Sequence, residues 1–185
     1  ASNVWVMRPQ RVAEGRTVLV NGPQFGWFNP SYCFGIGLHG PGFDIVGNTP
    51  FAYPIVLFAS NGHIAWGSTA GAGKVVDIFQ EHLNPANPRQ YWHESAWHDM
   101  AVRHETITVR DAAPVEIEVL STVHGLVALT DRPHNTAFAK KRTWDGREIE
   151  SLLGWIGSMH ARTHEAFRAQ IARMAVMVNT YFADR

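Results

Sequence analysis

Cysteine is almost absent from this sequence, which has 185 residues and a single cysteine, Cys33. One cysteine cannot form a disulfide within the chain, so packing and hydrogen bonds must hold the fold together. Long apolar runs are missing too, because no stretch approaches the roughly 20 residues that a membrane-spanning helix needs. A signal peptide is not recognisable either. We therefore expect no membrane as a partner.

An excess of charge of either sign is also missing. The 16 basic and 16 acidic side chains cancel, which leaves a formal net charge of +0 at pH 7. A neutral chain gives no electrostatic reason to expect nucleic acid or an anionic membrane as a partner. The hydrophobic fraction of 45% favours a globular chain. We interpret residues 1–185 as one segment, mainly β over 1–144 and mainly α over 145–185.

Short apolar runs separated by turn residues dominate the first part of the sequence. Strands are predicted at residues 4–7 and 16–20. A hairpin is predicted over residues 55–67, where an Asn-Gly pair separates two apolar runs. Residues 105–120 are predicted to form a second hairpin, because apolar and polar residues alternate there. The stretch 81–100 is polar and rich in Asn, Pro and His, which favours an irregular surface excursion.

The spacing of apolar residues becomes helical in the last part of the sequence. One helix is predicted over residues 149–159, with Asp145 and Glu148 as a capping box. A second helix is predicted from near Thr163, with an apolar stripe that continues to Val178. Strands followed by helices favour an α+β fold in which the helices pack on a sheet.

Ser2 is a candidate nucleophile because of its position beside the amino terminus. A serine at a chain end can attack an amide bond without a histidine, since its own α-amine can accept the proton. Such amines have a pKa near ~8, much closer to neutrality than that of lysine. Serines near a chain start are usually without function, so Ser2 alone decides little.

Several long motifs accompany Ser2. They are Ser2-Asn3-Val4-Trp5, the stretch from Val20 to Trp27, residues 32–40, 47–54 and 66–71, and shorter motifs at 122–125, 144–146 and 181–184. Together these motifs resemble the β chain of the penicillin G acylase family of N-terminal-nucleophile amidohydrolases. The resemblance extends over the whole chain.

This resemblance implies part of a four-layer α-β-β-α sandwich with antiparallel sheets and two C-terminal helices. It implies that Ser2 Oγ attacks a substrate amide and forms an acyl-enzyme, which water then hydrolyses. The backbone N–H of Ala70 would stabilise the oxyanion, and the main chain of Gln24 would help to hold the terminal amine. In the family a downstream asparagine supplies a second oxyanion donor.

The resemblance also implies an apolar pocket for the acyl group. The residues that match this pocket are Pro23, Phe25, Val56, Phe58, Ser68, Trp155 and Val178. The rings of Phe25 and Phe58 could stack against a phenyl group. Acylases for acyl-homoserine lactones or cephalosporin side chains usually have a histidine at the position of Gln24. We therefore favour phenylacetyl-type amides such as penicillin G, with acyl-homoserine lactones and a non-catalytic or unprocessed fragment as alternatives.

No cofactor is expected for catalysis, but the family holds a structural calcium partly through residues that match Val76 and Asp77. Calcium prefers several carboxylate and carbonyl oxygens. Lys74 stands where some relatives have an aspartate, and an ammonium group repels a cation, so the site is doubtful here. His93 and His98 are five residues apart rather than a helical i, i+4 pair, so no zinc site is expected.

Two features depart from the family pattern. Ala1 precedes Ser2, whereas the family's β chain begins at the serine after self-cleavage of a precursor. With Ala1 attached, the nitrogen of Ser2 lies in a peptide bond and cannot act as a base. The family's β chain is also much longer, so we expect an acylase α chain and the remaining β-chain segment as partners. The resemblance further implies a periplasmic or secreted location.

Overall fold

Antiparallel strands form most of the chain, and the computed structural model describes residues 2–51 and 53–184. These residues fall into two units, one formed by 1–73 with 146–185 and the other by 74–145, called unit 1 and unit 2 here. Numbered along the chain, the strands are β1 (Ser2–Met7), β2 (Val18–Pro23), β3 (Cys33–Gly40), β4 (Phe43–Pro50), β5 (Phe58–Ser60), β6 (Ile64–Ala70), β7 (Val76–Asn84), β8 (Asn87–His93), β9 (Ala96–Asp99), β10 (Ala101–Ile107), β11 (Val115–Thr122), β12 (Gly125–Asp131), β13 (Thr136–Arg142) and β14 (Val178–Asp184). The helices are α1 (Glu148–Met159) and α2 (His164–Ile171). The predicted α+β class, with antiparallel sheets and two helices, is confirmed.

Unit 1 contains a two-stranded ribbon and a five-stranded sheet. The ribbon pairs β1 with β2, and the sheet has the strand order β14-β6-β5-β4-β3. The ribbon strands correspond to those predicted at residues 4–7 and 16–20, but they extend to Ser2 and to Pro23. Gly15 precedes β2 with a φ of 62°, a left-handed conformation that glycine adopts without steric cost.

The sheet and the helices of unit 1 share a hydrophobic core. Its buried members are Ile45, Ile55, Val56, Ile64, Trp66, Met159, Ala161 and Phe167. Complete burial of one large apolar side chain stabilises a fold by roughly 1.5–3 kcal/mol. Trp66 satisfies its indole N–H by donating to the carbonyl oxygen of Val56 over 2.9 Å. The predicted packing of apolar helix stripes against a sheet is therefore observed.

The hairpin predicted over residues 55–67 is present as β5 and β6. Of its Asn-Gly pair, Gly62 has a positive φ, of 78°, whereas Asn61 does not. Asn61 instead accepts from the backbone N–H groups of His63 and Ile64. Its amide nitrogen donates to the carbonyl oxygens of Met159 and Ala161 at the end of α1. This side chain therefore joins the hairpin to the helix.

Helix α1 covers the residues predicted for it, but its start differs. The predicted capping box of Asp145 and Glu148 is wrong, because the N-cap residue is Arg147 and no side chain caps the helix. The carboxylate of Asp145 is already used, since it accepts from the backbone N–H of Arg142 and from that residue's Nε. The capping pattern in the sequence could not show that the Asp145 carboxylate bonds to Arg142 of the preceding strand.

Helix α2 begins after Thr163 as predicted, and the Thr163 hydroxyl accepts from the backbone N–H of Ala166. The helix ends at Ile171, so the predicted continuation of the apolar stripe to Val178 is wrong. Residues 174–177 have no regular structure, and Val178 begins β14. Strand β14 pairs with β6 along its whole length. Pairing with β6 therefore overrides the helical spacing.

Unit 2 is a seven-stranded antiparallel sheet with the order β10-β11-β12-β13-β7-β8-β9. The hairpin predicted over residues 105–120 is present as β10 and β11. The irregular excursion predicted for residues 81–100 is wrong, because β7, β8 and β9 lie there. Leu83 and Tyr91 from this stretch are buried in a small core with Met100 and Ala137.

A buried carboxylate explains part of the polar character of β7. Glu81 is only 3% exposed. It accepts a 2.5 Å hydrogen bond from the Thr122 hydroxyl and bonds to His124 Nδ1 over 2.9 Å. Polar side chains in this stretch thus pair across strands instead of entering a loop.

Within the described residues, neither helix is long and apolar enough to span a membrane.

Candidate active site

Ser2 begins β1, and the ribbon places it directly opposite Pro23 of β2. Gln24 follows Pro23, so the pairing brings its main chain close to the start of β1. Ser2 is half-buried, whereas Gln24 is exposed and lies outside the strands. Ala1, whose attachment decides whether Ser2 has a free amine, lies outside the described residues.

The side chain of Asn21 connects the ribbon to β6. Its Nδ2 donates to the carbonyl oxygen of Asn3 over 3.0 Å and to that of Ser68 over 3.1 Å. Its Oδ1 accepts from the backbone N–H of Ser68 over 2.7 Å. Strand β5 pairs with β6 only at Ala65 and Trp66. Beyond the end of that pairing, the Asn21 side chain thus makes hydrogen bonds to the backbone of β6 that a neighbouring strand would otherwise make.

Ala70, the predicted oxyanion donor, is the exposed last residue of β6. Backbone N–H groups of alternate residues in a strand point to the same edge. The N–H of Ser68 points to Asn21, so the N–H of Ala70 faces the edge of β6 on which the ribbon lies. The carbonyl oxygen of Ala70 accepts from Nδ2 of Asn179 over 3.3 Å. This arrangement places the Ala70 N–H on the edge of β6 that Asn21 of the ribbon contacts.

The structure brings some of the predicted pocket residues to this place. Pro23 lies opposite Ser2, the backbone of Ser68 bonds to Asn21, and Val178 lies directly opposite Ala70 in β14.

Other predicted pocket residues lie elsewhere in unit 1. Val56 is fully buried in the hydrophobic core, and Trp155 packs against that core from α1. Phe58 is 8% exposed in β5, whereas Phe25 is 44% exposed after β2. The side chains of Val56 and Trp155 thus belong to the hydrophobic core, whereas the exposed Phe25 side chain can contact a ligand.

Phe25 belongs to an aromatic cluster centred on Tyr32, which the sequence analysis did not predict. The Tyr32 ring lies 5.9 Å from that of Phe25, 4.8 Å from that of Phe28 and 4.5 Å from that of Phe51. A cavity of about 540 Å³ opens beside this cluster. It is lined by Phe28, Asn29, Pro30, Ser31, Tyr32, Phe34 and Phe51. The density of aromatic residues between 25 and 34 was the available signal.

A second cavity, of about 580 Å³, lies at the other end of the ribbon, away from Ser2. It is lined by Pro9, Gly15, Arg16, Thr17, Leu19, Ser60, Gly62, His63, Ile64, Ala65, Ala183 and Asp184. None of the predicted site residues lies in it.

Val76 and Asp77, the candidate calcium ligands, begin β7 in unit 2. The Asp77 carboxylate forms an ion pair with Lys74 Nζ over 3.0 Å. A shallow cavity of about 180 Å³ beside them is also lined by Lys141 and Arg142. The Asp77 carboxylate is already paired with a lysine, so the residues present do not fit calcium, which prefers several anionic oxygens. No group of three or more metal-ligating His, Cys, Asp or Glu side chains occurs in the part of the chain described by the structure.

Comparisons with known proteins show which family the chain resembles. The family model for penicillin amidase matches residues 1–185. Penicillin G acylase of Escherichia coli is 48% identical over 183 residues, which is 99% of this chain and 22% of that protein. The acyl-homoserine lactone acylase QuiP of Pseudomonas syringae pv. tomato is 27% identical over 189 residues, which is 100% of this chain and 23% of that protein.

A solved structure, the thermostable penicillin G acylase from Alcaligenes faecalis, superposes with a TM-score of 0.88 at 54% identity. The match covers 100% of this chain and 33% of that chain. The chain thus spans between about a fifth and a third of the relatives that it matches. The matches in sequence and in structure cover essentially all of this chain, and it therefore belongs to the penicillin amidase family.

Proposed function

We propose that the full-length protein carrying this sequence is an amidohydrolase of the penicillin acylase type. It cleaves the side-chain amide of phenylacetyl-type substrates through an acyl-enzyme on Ser2. One observation carries the proposal: Asn21 holds the strand of Ser2 beside β6, on the edge that the Ala70 N–H faces. A nucleophile and an oxyanion donor on adjoining strands are the minimum that acyl transfer requires.

The chemistry begins once the α-amine of Ser2 is free of Ala1. The amine takes the hydroxyl proton while Ser2 Oγ adds to the amide carbonyl carbon. The resulting oxyanion accepts a hydrogen bond from the Ala70 N–H, with a second donor supplied from outside this chain. The amine returns the proton to the leaving nitrogen as the carbon–nitrogen bond breaks. Water then attacks the ester in the same way and releases the acid and Ser2.

Three arguments support a phenylacetyl group. The chain is 48% identical to a penicillin G acylase but 27% identical to an acyl-homoserine lactone acylase. Gln24 also replaces the histidine that is usual in acylases of the second kind. The exposed ring of Phe25, with Tyr32 beside it, offers an aromatic surface on which a phenyl ring can stack.

We further propose an acylase α chain and a further β-chain segment as partners, and a periplasmic or secreted location. The chain covers 22% of its relative from Escherichia coli, which supports additional segments. The resemblance alone supports the location. We do not assign calcium to Val76 and Asp77, because Lys74 occupies the carboxylate.

The test is to compare hydrolysis of a phenylacetyl amide and of a long-chain acyl-homoserine lactone by the full-length protein. We expect faster hydrolysis of the phenylacetyl amide, and we expect S2A to abolish both activities. A preference for the lactone would support the alternative acylase. Turnover by S2A at the wild-type rate would refute the mechanism. Absence of turnover on either substrate would favour a non-catalytic or unprocessed protein.

A further inference from the structure

Asn21 uses its amide group fully, because each N–H meets a different carbonyl oxygen and the amide oxygen meets an N–H. These two donated hydrogen bonds and one accepted hydrogen bond require an amide whose nitrogen and oxygen are oriented as they are here. An aspartate is nearly the same size but has no N–H, so it would face the oxygens of Asn3 and Ser68 with an oxygen of its own.

These hydrogen bonds lie close in the chain to the residues that are proposed to carry out the reaction. Asn3, whose carbonyl oxygen is held, directly follows Ser2 in β1. Ser68, whose N–H and carbonyl oxygen are both held, lies two residues before Ala70 in β6. One side chain therefore sets the separation between the strand of the nucleophile and the strand of the oxyanion donor.

Gly67 makes this contact possible. A Cβ atom at position 67 would lie 2.8 Å from Asn21 Cγ and 3.0 Å from Asn21 Cβ. Gly67 is buried in the middle of β6, where glycine is normally unfavourable. The close approach of Asn21 explains why a glycine, which has no Cβ atom, occupies this position.

We propose that Asn21 is a positioning residue, which with Gly67 fixes Ser2 and the Ala70 N–H at the separation that acyl transfer requires. This inference rests on the proposed function. Asn21 acts through the backbone and contacts neither the Ser2 hydroxyl nor the Ala70 N–H in the structure. A misplacement of about 1 Å can cost about 100-fold in rate, so a displaced strand should affect the chemical step most.

The principal test is N21D in the full-length protein, assayed on a phenylacetyl amide. We expect kcat to fall about 100-fold, comparable to the loss of one oxyanion donor, with KM changed less than about threefold. N87D is the matched control, because exposed Asn87 uses its side-chain oxygen to accept from the backbone N–H of Arg89 and an aspartate can still accept. N87D should leave kcat unchanged. If N21D does not fold, N21A removes the same bonds without adding a charge.

Two ligands separate positioning from folding. Benzylboronic acid forms a tetrahedral adduct with a serine hydroxyl and needs the oxyanion donor, whereas phenylacetic acid needs only the acyl pocket. N21D or N21A should weaken boronate binding strongly and leave binding of the acid within about threefold, as expected for an interaction made only in the transition state. Loss of both ligands by N21A and by G67A would overturn the proposal, because it would indicate a collapsed unit.

Gly67→Ala supplies an independent check, because it displaces Asn21 without changing that residue. We expect G67A also to lower kcat with little change in KM. The double variant N21A/G67A should lose less than the product of the two single effects, since both remove one contact. An inactive wild-type protein would refute the proposed function. An active wild type with an equally active N21D would refute only the positioning role.

Discussion

At the scale of single residues, the predicted pocket divides into side chains that can meet a ligand and side chains that hold the core. Phe25 is 44% exposed, whereas Val56 is completely buried under the helices. The resemblance in sequence could not separate them, because both positions match the pocket of the family. Their different burial predicts different consequences of substitution.

We predict that F25A weakens binding of phenylacetic acid by about tenfold, because stacking of two aromatic rings contributes about 0.5–1.5 kcal/mol beyond burial. V56A should instead lower the free energy of unfolding by about 2 kcal/mol with little change in binding of the acid. Ligand titration and urea denaturation measure the two effects. A purely destabilising F25A, or a V56A that alters only binding, would reverse these assignments.

A second residue-level prediction concerns calcium. The ammonium of Lys74 is bonded to Asp77, and Lys141 and Arg142 lie beside the same cavity. A carboxylate that is already paired with an ammonium group disfavours a divalent ion. Treatment of the full-length protein with a chelator should therefore leave its Tm unchanged, and added calcium should not raise it. A fall of several degrees on chelation, reversed by calcium, would show that other ligands overcome these charges.

The sequence predicts Ser2 as a nucleophile but gives no indication of the role proposed for Asn21. The chemistry of Ser2 follows from its position beside the amino terminus, which a sequence displays. The role of Asn21 depends on Ser68, which is 47 residues away in the chain and belongs to another sheet. Asn21 lay within a recognised motif, yet only the fold shows which backbone groups it meets.

At the scale of elements, the start of α2 was predicted better than its end. Thr163 is the N-cap of α2, as its position before an apolar stripe indicates. Residues 174–178 continue that stripe, but residues 174–177 have no regular structure and Val178 pairs with β6 as the first residue of β14. The strands β7 to β9 were missed for a related reason. Their polar residues form hydrogen bonds across strands. Glu94 and Ser95 form a turn with positive φ values, which their residue types do not predict.

The start of α2 gives a prediction about stability and its pH dependence. T163A should lower the free energy of unfolding by about 1 kcal/mol, because the hydroxyl satisfies a backbone N–H at the helix start. T163S keeps that hydroxyl and is the control. Backbone and Thr163 hydrogen bonds to the exposed Glu165 carboxylate lower its pKa below 4.5.

A lowered pKa means that the folded state favours the ionised carboxylate of Glu165. Its contribution to stability is therefore present at neutral pH and is lost as the pH falls below 4.5 through the lowered pKa. E165Q should reduce Tm slightly at neutral pH and have no effect in strong acid. A larger effect of E165Q in acid than at neutral pH would contradict the direction of the shift.

At the scale of the whole molecule, both units expose large apolar side chains. Examples are Trp27, Phe28, Leu129, Ile149 and Ile78, each more than half exposed. Exposed apolar surface of this kind is typical of faces that other segments cover. The 185-residue chain alone should therefore bind a hydrophobic dye, and co-expression with the rest of the acylase should suppress that binding. A cooperative melt of the isolated chain without dye binding would contradict this expectation.

The proposed mechanism depends on the α-amine of Ser2 as the base. The most direct measurement is to label the active full-length protein with a serine-directed acylating or sulfonylating reagent and to determine the mass of the labelled amino-terminal peptide. The mechanism predicts that this peptide begins at Ser2 and that labelling stops hydrolysis of the phenylacetyl amide. A labelled peptide that begins at Ala1, in protein that turned over the amide before labelling, would contradict it.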